Sequence, residues 1–352
     1  MLGKIVKAGV LSAVLAFAGV ALPCPLDTPQ GRIVDSCGDF RDFTVPNLPA
    51  AVHYFAPKPV ESGADCETAV IIVHGWGDGV ELPKEVPSFW DAARNEVGTG
   101  GRMPYVIAPV FPRRETMEKF GLEDDGRAHW NDLRDASDGD RYDPSDDWRG
   151  GGDADGTSVS SFDAIDRILD ALSDRAKYPN LKRVTLAGFS AGGQFAWRYA
   201  AVGRGILRPD IRLDFAPMAP SSVLRLESDV RWLYGLKDRP RYAAGLTEAQ
   251  IYTNLCSRRV WFGCGDLDVK KRPQTSLDGT PEARAQGENR YDRFLRFRDY
   301  LGRFPDWNRQ VSFHILRGLG HEYVRAYAQP ELVGFLLFGC LSVDRPSADD
   351  PP

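Results

Sequence analysis

The sequence predicts an α/β fold with one central, mostly parallel sheet and helices on both of its faces. Short apolar runs recur along the chain, and runs of this kind suit strands that are covered on both sides. Helical patterns lie between several of them, and such alternation implies βαβ units. The composition of the 352 residues, 43% hydrophobic and 26% charged, is globular and excludes wholesale disorder and a polytopic membrane protein.

Residues 1–21 are predicted to be a signal peptide. Lys4 and Lys7 precede an apolar stretch from Ala8 to Ala21, and a basic start, a short apolar segment and small residues at its end are typical of export signals. The stretch is shorter than the roughly 20 residues of a membrane span. We expect an exported protein, periplasmic or extracellular, with no stable span after cleavage. An uncleaved N-terminal anchor is the alternative.

The six cysteines agree with export. An even number of cysteines in an exported chain favours structural disulfides, although spacing alone does not fix their pairing. We therefore expect two or three bridges among the six. They are Cys24, Cys37, Cys66, Cys256, Cys264 and Cys340.

Residues 22–342 are predicted to form a single domain with insertions at about 113–157 and 223–257, followed by a disordered tail at 343–352. The first insertion is rich in aspartate, but its spacing does not match a calcium-binding loop of the EF-hand type. A solvated surface loop is the favoured interpretation, and calcium binding stays open. The second insertion contains Trp232, Tyr234, Tyr242 and Tyr252 and predicts a cap over a site.

The charge pattern argues against several partners. The chain has 44 Lys and Arg against 49 Asp and Glu, a net charge of −5, so it lacks the basic surface that nucleic acids or anionic lipids require. No phosphate-binding or dinucleotide-binding glycine motif follows a predicted strand. We therefore expect no nucleic acid partner and no nucleotide-dependent chemistry.

Five apolar runs are the predicted strands, at residues 68–73, 105–111, 184–187, 260–264 and 311–316. A helix is predicted to begin at Ser160 and Ser161, with Asp163 as the capping carboxylate. The apolar residues from Phe162 to Leu172 then keep one face at helical spacing. A second helix is predicted directly after Ser190.

The strongest motif is the sequence Gly-Phe-Ser-Ala-Gly at residues 188–192. A G-x-S-x-G sequence between a strand and a helix predicts a nucleophile elbow with Ser190 at its tip. Because the turn is sharp, the serine backbone is expected to be strained, and side chains at the flanking glycines would collide with neighbouring elements.

An activated serine needs a base, and in this type of elbow the base follows the serine in the chain. Of the five histidines, only His314 and His321 do so. His314 lies inside an apolar run, where a packed histidine is the ordinary explanation. His321 follows the turn Gly318-Leu319-Gly320 at the end of a predicted strand, and it is the favoured base.

The remaining parts of the predicted site follow two other strands. Asp268 is the favoured acid that orients the imidazole, and Asp266 is the alternative, with hydrogen bonding to the turn as its other expected role. Backbone N–H groups of Ala191 and Trp76 are the expected oxyanion hole. His74, which begins the Trp76 loop, is expected to hold that loop by hydrogen bonds.

The loop with Trp76, the elbow with Ser190, the turn with Asp268 and the turn with His321 follow one another along the chain between roughly residues 50 and 340. In these segments and in their order, the sequence resembles the α/β-hydrolase superfamily. The segments 219–222 and 286–290 are similar to a poorly characterised exported branch of it. Ser221 and Ser222, in the first segment, are interpreted either as turn residues or as pocket lining.

The resemblance implies a carboxylic ester hydrolase, esterase- or lipase-like, with a Ser190-Asp268-His321 triad, acting on a small-molecule or polymeric ester without a metal or cofactor. A peptidase or amidase with the same triad is one alternative. An exported binding protein that lost catalysis is the other.

Overall fold

The computed structural model describes residues 40–77, 82–120, 126–130 and 147–340. The predicted signal peptide, the predicted tail and the aspartates from Asp135 to Asp146 lie outside these residues. So do Cys24 and Cys37.

A single sheet of eight strands organises the described residues. The strands are β1 (Arg41–Thr44), β2 (His53–Ala56), β3 (Thr68–Val73), β4 (Tyr105–Val110), β5 (Arg183–Phe189), β6 (Arg212–Met218), β7 (Arg259–Gly265) and β8 (Val311–Leu316). They lie side by side in the order β1-β2-β4-β3-β5-β6-β7-β8. The pairs β1–β2 and β2–β4 are antiparallel, and all pairs from β4 to β8 are parallel.

All five predicted strands are confirmed, as β3, β4, β5, β7 and β8. The central strands β3 and β4 are buried at every position, which explains their continuous apolar runs. β1, β2 and β6 were not predicted. β6 begins with polar residues and contains Pro217, a residue that ordinarily argues against a central strand.

Ten helices accompany the sheet in the described residues, and they lie on both of its faces, as the sequence predicts. They are α1 (Leu82–Val97), α2 (Arg114–Phe120), α3 (Ser161–Leu172), α4 (Ala191–Val202), α5 (Glu248–Ser257), α6 (Pro281–Ala285), α7 (Arg290–Leu301), α8 (Pro305–Asn308), α9 (Tyr323–Tyr327) and α10 (Pro330–Phe338). α1, α9 and α10 pack together, while α4 packs on β5 and β6 and contacts α5. Within the described part of the chain, no helix is both long and apolar enough to cross a membrane.

The two predicted helices are confirmed. In α3 the Ser160 hydroxyl accepts from the N–H of Phe162, and the Asp163 carboxylate accepts from the N–H of Ser160. The apolar face of α3 is buried, whereas α4 is buried all round. A helix that is covered on every side lies in the core of a protein, and α4 is the helix that begins directly after Ser190.

The end of the aspartate-rich insertion differs from the solvated loop that was predicted. Trp148 is 1% exposed and lies in a 3₁₀ turn, Trp148–Gly150. Asp147 is buried with its carboxylate on the guanidinium of Arg149, at 2.6 Å. A charged residue next to a buried tryptophan can enter the core because its partner neutralises it. The prediction was therefore wrong for this end of the insertion.

The second predicted insertion, 223–257, has two parts. Turns and loops precede Thr247, and they pack on the 3₁₀ turn and α4: the Trp232 indole donates to the Gly150 carbonyl at 2.9 Å, and Arg198 donates to the Leu233 carbonyl at 3.1 Å. The second part is α5, which packs against α4 and α8. That the segment covers a site stays a prediction.

The prediction of two or three disulfides was wrong. Cys66, Cys256, Cys264 and Cys340 are all free thiols, which leaves Cys24 and Cys37, outside the described residues, as the remaining pair. Cys66, two residues before β3, and Cys264, in β7, are both buried in the core. A domain of this size buries enough apolar surface to be stable without cross-links.

Candidate active site

The site residues predicted from sequence meet at one edge of the sheet. Ser190 directly follows β5, Asp268 follows β7, and His321 follows β8. The loop with Trp76 follows β3. Because these strands are parallel, their carboxyl ends lie at the same edge, which is where open α/β sheets bind ligands.

The turn at Ser190 is strained in the way its sequence predicts. Ser190 has φ 57° and ψ −112°, in a region that residues other than glycine rarely adopt. A Cβ on Gly188 would lie 2.3 Å from the backbone of Gly192, and one on Gly192 would lie 2.0 Å from the Val73 carbonyl oxygen. The predicted reason for both glycines is confirmed, and the close contact with Val73 places the end of β3 against the elbow.

A chain of hydrogen bonds joins the three side chains. The Ser190 Oγ lies 2.9 Å from Nε2 of His321, and Nδ1 of His321 lies 2.6 Å from Oδ2 of Asp268. Asp268 is 1% exposed, whereas the imidazole keeps 22% of its surface accessible. The arrangement puts a serine hydroxyl within proton-transfer distance of an imidazole whose other nitrogen faces a buried carboxylate.

The two carboxylates that follow β7 have different partners. Asp266 accepts from the N–H of Gly318 at 2.7 Å, and Arg317 lies 3.9 Å away. Asp266 therefore holds the turn that precedes His321, while Asp268 faces the imidazole itself. Asp268 also has the guanidinium of Arg290 at 3.7 Å from its Oδ1.

The surroundings of His321 favour its neutral form. Burial lowers the pKa of His321 below its ordinary 6.5, and the charge of Arg290 acts in the same direction, although the hydrogen bond to Asp268 opposes them. The Phe189 ring lies 4.7 Å from the imidazole. A neutral imidazole at pH 7 can accept a proton, as a general base must.

Two other histidines lie elsewhere in the fold. His314 stacks on Trp261 at 4.4 Å and its Nε2 lies 2.8 Å from the Ser312 hydroxyl, which is the packed role expected for it. His74 is fully buried. Its Nε2 accepts from the N–H of Phe111 at 2.9 Å, and its Nδ1 lies 2.7 Å from the Gly75 carbonyl. His74 thus ties the loop after β3 to the end of β4.

Of the two expected oxyanion donors, one belongs to the elbow and the other to the turn after β3. Ala191 opens α4, and the first N–H groups of a helix have no acceptor within it. Trp76 lies in the turn after β3. The guanidinium carbons of Arg113 and Arg149 lie 4.5 Å and 4.8 Å from the centroid of its indole ring. These distances are typical of cation–π interactions, in which the face of the ring attracts the positive charge.

The sequence did not reveal the buried polar network beside the site. Ser222, one of the two serines with open roles, accepts from Gln194 at 2.7 Å and donates to Asp278 at 3.1 Å. Gln194 in turn accepts from Arg149 at 3.2 Å. These residues come from four distant segments. Charged and amide residues ordinarily indicate surface, and no local pattern shows that they are buried together.

Arg290 was also missed as a neighbour of the acid. It lies in the segment 286–290, which the sequence analysis had noted for its resemblance to an exported branch of the superfamily, and its side chain is completely buried.

In the described residues, no group of three or more His, Cys, Asp or Glu side chains is arranged to hold a metal ion.

Comparison with known proteins rests on structure, since no family model and no curated protein matches this sequence. Poly(aspartic acid) hydrolase-1 from Sphingomonas sp. KT-1 superposes with a TM-score of 0.58 at 18% identity, over 84% of this chain and 98% of that one. LpqC, a poly(3-hydroxybutyrate) depolymerase from Bordetella parapertussis, does so with a TM-score of 0.58 at 18% identity, over 88% and 92%.

Both superpositions cover more than four fifths of this chain, and they decide the fold. The chain has the α/β-hydrolase fold. Its elbow between β5 and α4 and the order Ser190, Asp268, His321 along the chain are typical of the α/β-hydrolase fold.

Proposed function

We propose that the protein is a serine hydrolase that cleaves carboxylic esters through an acyl-enzyme intermediate. Ser190 is the nucleophile, His321 the general base and acid, and Asp268 the residue that orients the imidazole. The observation that carries this proposal is the chain of two hydrogen bonds, 2.9 Å and 2.6 Å long, from Ser190 through His321 to Asp268.

In the first half of the reaction, the Ser190 oxygen attacks the ester carbonyl while its proton moves to Nε2 of His321. The imidazolium so formed is stabilised by the Asp268 carboxylate at Nδ1. The tetrahedral intermediate then collapses: the bond to the alcohol oxygen breaks, and the proton on Nε2 goes to that oxygen. The alcohol leaves, and the acyl group stays on Ser190.

In the second half, water takes the place of the alcohol. His321 removes a proton from the water as its oxygen attacks the acyl carbonyl, and the same proton then returns to the Ser190 oxygen as the acid departs. In both halves, negative charge develops on the carbonyl oxygen. The N–H groups of Ala191 and Trp76 are the proposed donors to it, and the N-terminal end of α4 favours negative charge at this place.

The test is labelling with a fluorophosphonate probe together with turnover of p-nitrophenyl esters and of aminoacyl p-nitroanilides. We expect the wild-type protein to be labelled and to hydrolyse the esters faster than the amides. Ser190→Ala is expected to abolish labelling and to reduce ester turnover by about 10⁶-fold. Ser228→Ala is the matched control, because Ser228 is exposed and its hydroxyl donates to Glu248 away from the site.

Labelling that survives in Ser190→Ala would contradict the proposed nucleophile. Faster turnover of amides than of esters would replace the esterase by an amidase with the same triad. A wild-type protein that is neither labelled nor active would favour a binding protein of this fold.

We also propose that the protein is exported. The supporting observation is the pattern at residues 1–21, in which Lys4 and Lys7 precede the apolar stretch from Ala8 to Ala21. Expression of the full chain, followed by mass spectrometry of the protein outside the cytoplasm, is expected to show a mature form that lacks about the first 21 residues. A full-length protein retained in the cytoplasm would contradict export.

A further inference from the structure

The 3₁₀ turn Trp148–Gly150, at the end of the aspartate-rich insertion, contacts the loop that follows β3 at two of its residues. The Trp148 ring lies 4.7 Å from the imidazole of His74, which begins that loop. The guanidinium carbon of Arg149 lies 4.8 Å from the centroid of the Trp76 indole. The turn therefore packs against the loop whose N–H group at Trp76 is a proposed oxyanion donor.

Arg149 also contacts the helix that carries the other proposed donor. Its Nη1 donates to the side-chain carbonyl of Gln194 at 3.2 Å. Gln194 is 1% exposed and lies in the first turn of α4, where its own N–H donates to the Ser190 carbonyl at 3.0 Å. One guanidinium thus bridges the Trp76 turn and the first turn of α4, which opens with Ala191.

An ion pair holds this guanidinium in one place. Nε and Nη2 of Arg149 donate to the two oxygens of the Asp147 carboxylate, at 3.0 Å and 2.6 Å. Asp147 is fully buried, and the Arg149 side chain is 10% exposed. A paired contact between a guanidinium and a carboxylate fixes orientation as well as distance, and breaking a buried ion pair is strongly unfavourable. Arg149 is therefore a rigid support.

The backbone of the 3₁₀ turn is anchored on the core as well. The carbonyl of Arg149 accepts from the guanidinium of Arg198 on α4 at 3.4 Å, and the carbonyl of Gly150 accepts from the Trp232 indole at 2.9 Å. Both donors are fully buried. Trp76, in contrast, is only partly buried. The 3₁₀ turn is thus the better anchored side of the contact, and the Trp76 turn is the side that it supports.

We propose that Arg149 is a positioning residue of the oxyanion hole, and this proposal rests on the proposed function. By bridging Gln194 and the Trp76 ring, the guanidinium fixes the Trp76 turn relative to the start of α4. The N–H groups of Trp76 and Ala191 are thereby kept at the place where negative charge develops on the carbonyl oxygen. A displacement of about 1 Å in such a site can reduce a rate about 10²-fold.

The experiment removes the ion pair and measures the transition state separately from the substrate. The variant is Asp147→Asn/Arg149→Gln, in which no buried carboxylate is left without its cation. We expect kcat for p-nitrophenyl esters, per active site counted by complete fluorophosphonate labelling, to fall about 10²-fold. KM should stay within about threefold of wild type, because the two N–H groups meet a charge that develops only in the transition state.

A transition-state analogue gives a second measure. When an aryl trifluoromethyl ketone binds, the Ser190 oxygen bonds to the carbonyl carbon, its proton moves to His321, and the carbonyl oxygen becomes an oxyanion without the loss of any group. We expect the inhibition constant to rise about as much as kcat/KM falls, about 10²-fold. A role confined to stability would lower the number of labelled sites and change neither kcat per site nor the inhibition constant.

Asp214→Asn/Arg259→Gln is the matched control. It removes the same kind of ion pair, between a fully buried carboxylate and a guanidinium that is 20% exposed, near the beginning of β6 and β7. This variant is expected to be less stable than wild type, while kcat per active site and the inhibition constant stay within about twofold.

Substitutions at Trp76 test how the effect is transmitted, since the proposed donor is a backbone N–H that every side chain retains. Trp76→Phe keeps an aromatic face for the guanidinium and should stay near wild type, whereas Trp76→Leu should show the same loss of kcat as the Arg149 variant. In the Trp76→Leu background, Asp147→Asn/Arg149→Gln should reduce kcat by less than about a further threefold, because both changes remove one contact. If the double variant does not fold, the two Trp76 variants decide the matter.

The outcomes separate this proposal from the function on which it rests. A wild-type kcat per site with an unchanged inhibition constant in Asp147→Asn/Arg149→Gln would overturn the role of Arg149 and leave the hydrolase intact. Full additivity with Trp76→Leu, or equal activity of Trp76→Leu and Trp76→Phe, would do the same. A wild-type protein that is neither labelled nor active would overturn the hydrolase itself.

Discussion

Two buried aspartates, one near the beginning of a parallel strand and the other beyond the end of the neighbouring strand, show that a buried carboxylate can have two different roles. Asp214 lies near the beginning of β6 and is fully buried. Its oxygens meet the guanidinium of Arg259 at 3.0 Å and 2.5 Å, and Arg183 lies 3.3 Å away. Asp268 lies beyond the end of β7 and is 1% exposed. One of its oxygens contacts the imidazole of His321, and the guanidinium of Arg290 lies 3.7 Å from the other.

The difference separates a stabilising charge from one that serves chemistry. Asp214 is neutralised directly, and its two arginines also donate to the carbonyls of Leu337 and Gly339, which ties the end of α10 to the sheet. Arg290 instead donates to Thr275 and Ser276. Asp268 therefore keeps its charge for the imidazolium that forms on His321 during the proposed reaction.

The largest expected effect is on activity at Asp268. Asp268→Asn should reduce kcat/KM for p-nitrophenyl esters about 10⁴-fold, because the amide no longer stabilises the imidazolium or its tautomer. The control is Asp266→Asn, whose side-chain oxygen can still accept from Gly318. Steady-state kinetics that show equal losses in both variants would contradict the distinction between the two carboxylates.

At the other end of the sheet, Asp214→Asn should act on stability. We expect the free energy of unfolding to fall by about 3 kcal/mol, because two largely buried guanidinium groups lose their counter-charge. Urea denaturation followed by tryptophan fluorescence measures this loss. The activity of the folded fraction should stay within about twofold of wild type, because Asp214 lies near the beginning of β6, away from the carboxyl ends of the strands where the reacting groups lie. A loss of kcat/KM comparable to that of Asp268→Asn would break the comparison.

A moderate effect is expected in the pH profile. Only neutral His321 can accept the serine proton, so kcat/KM should be constant at neutral pH and fall as the pH drops through the pKa of His321. Because burial lowers that pKa below 6.5, the midpoint of the acidic limb should also lie below 6.5. A midpoint above this value would mean that the imidazole is less buried, or more strongly paired with Asp268, than the structure indicates.

The smallest expected effect sharpens the role of Arg290. Its positive charge disfavours the imidazolium, so Arg290→Gln should raise the pKa of His321 and move the acidic limb to higher pH. Arg290→Lys keeps the charge and should leave the limb near its wild-type position. A purely structural role for Arg290 would change the amount of active protein in both variants without moving the limb.

Much of the sheet was predictable from local patterns. The strands that are covered on both faces, such as β3 and β5, show as apolar runs, and the elbow shows as glycines on both sides of Ser190. β6 was not predicted because it begins with Arg212 and contains Asp214, and the burial of Asp214 depends on arginines from β5 and β7. The disulfides were mispredicted because cysteine number indicates an environment but not the separation of two thiols.

For the site, the sequence alone indicated Ser190 and His321 by their turns and by their order in the chain. It left Asp266 and Asp268 as alternatives, and only the tertiary structure places Asp268 against the imidazole and Asp266 on the turn beside it. The network around Ser222 had no sequence signal at all. Strands, turns and caps depend on neighbours a few residues apart, whereas the pairing of buried charges depends on contacts between segments that only the folded chain brings together.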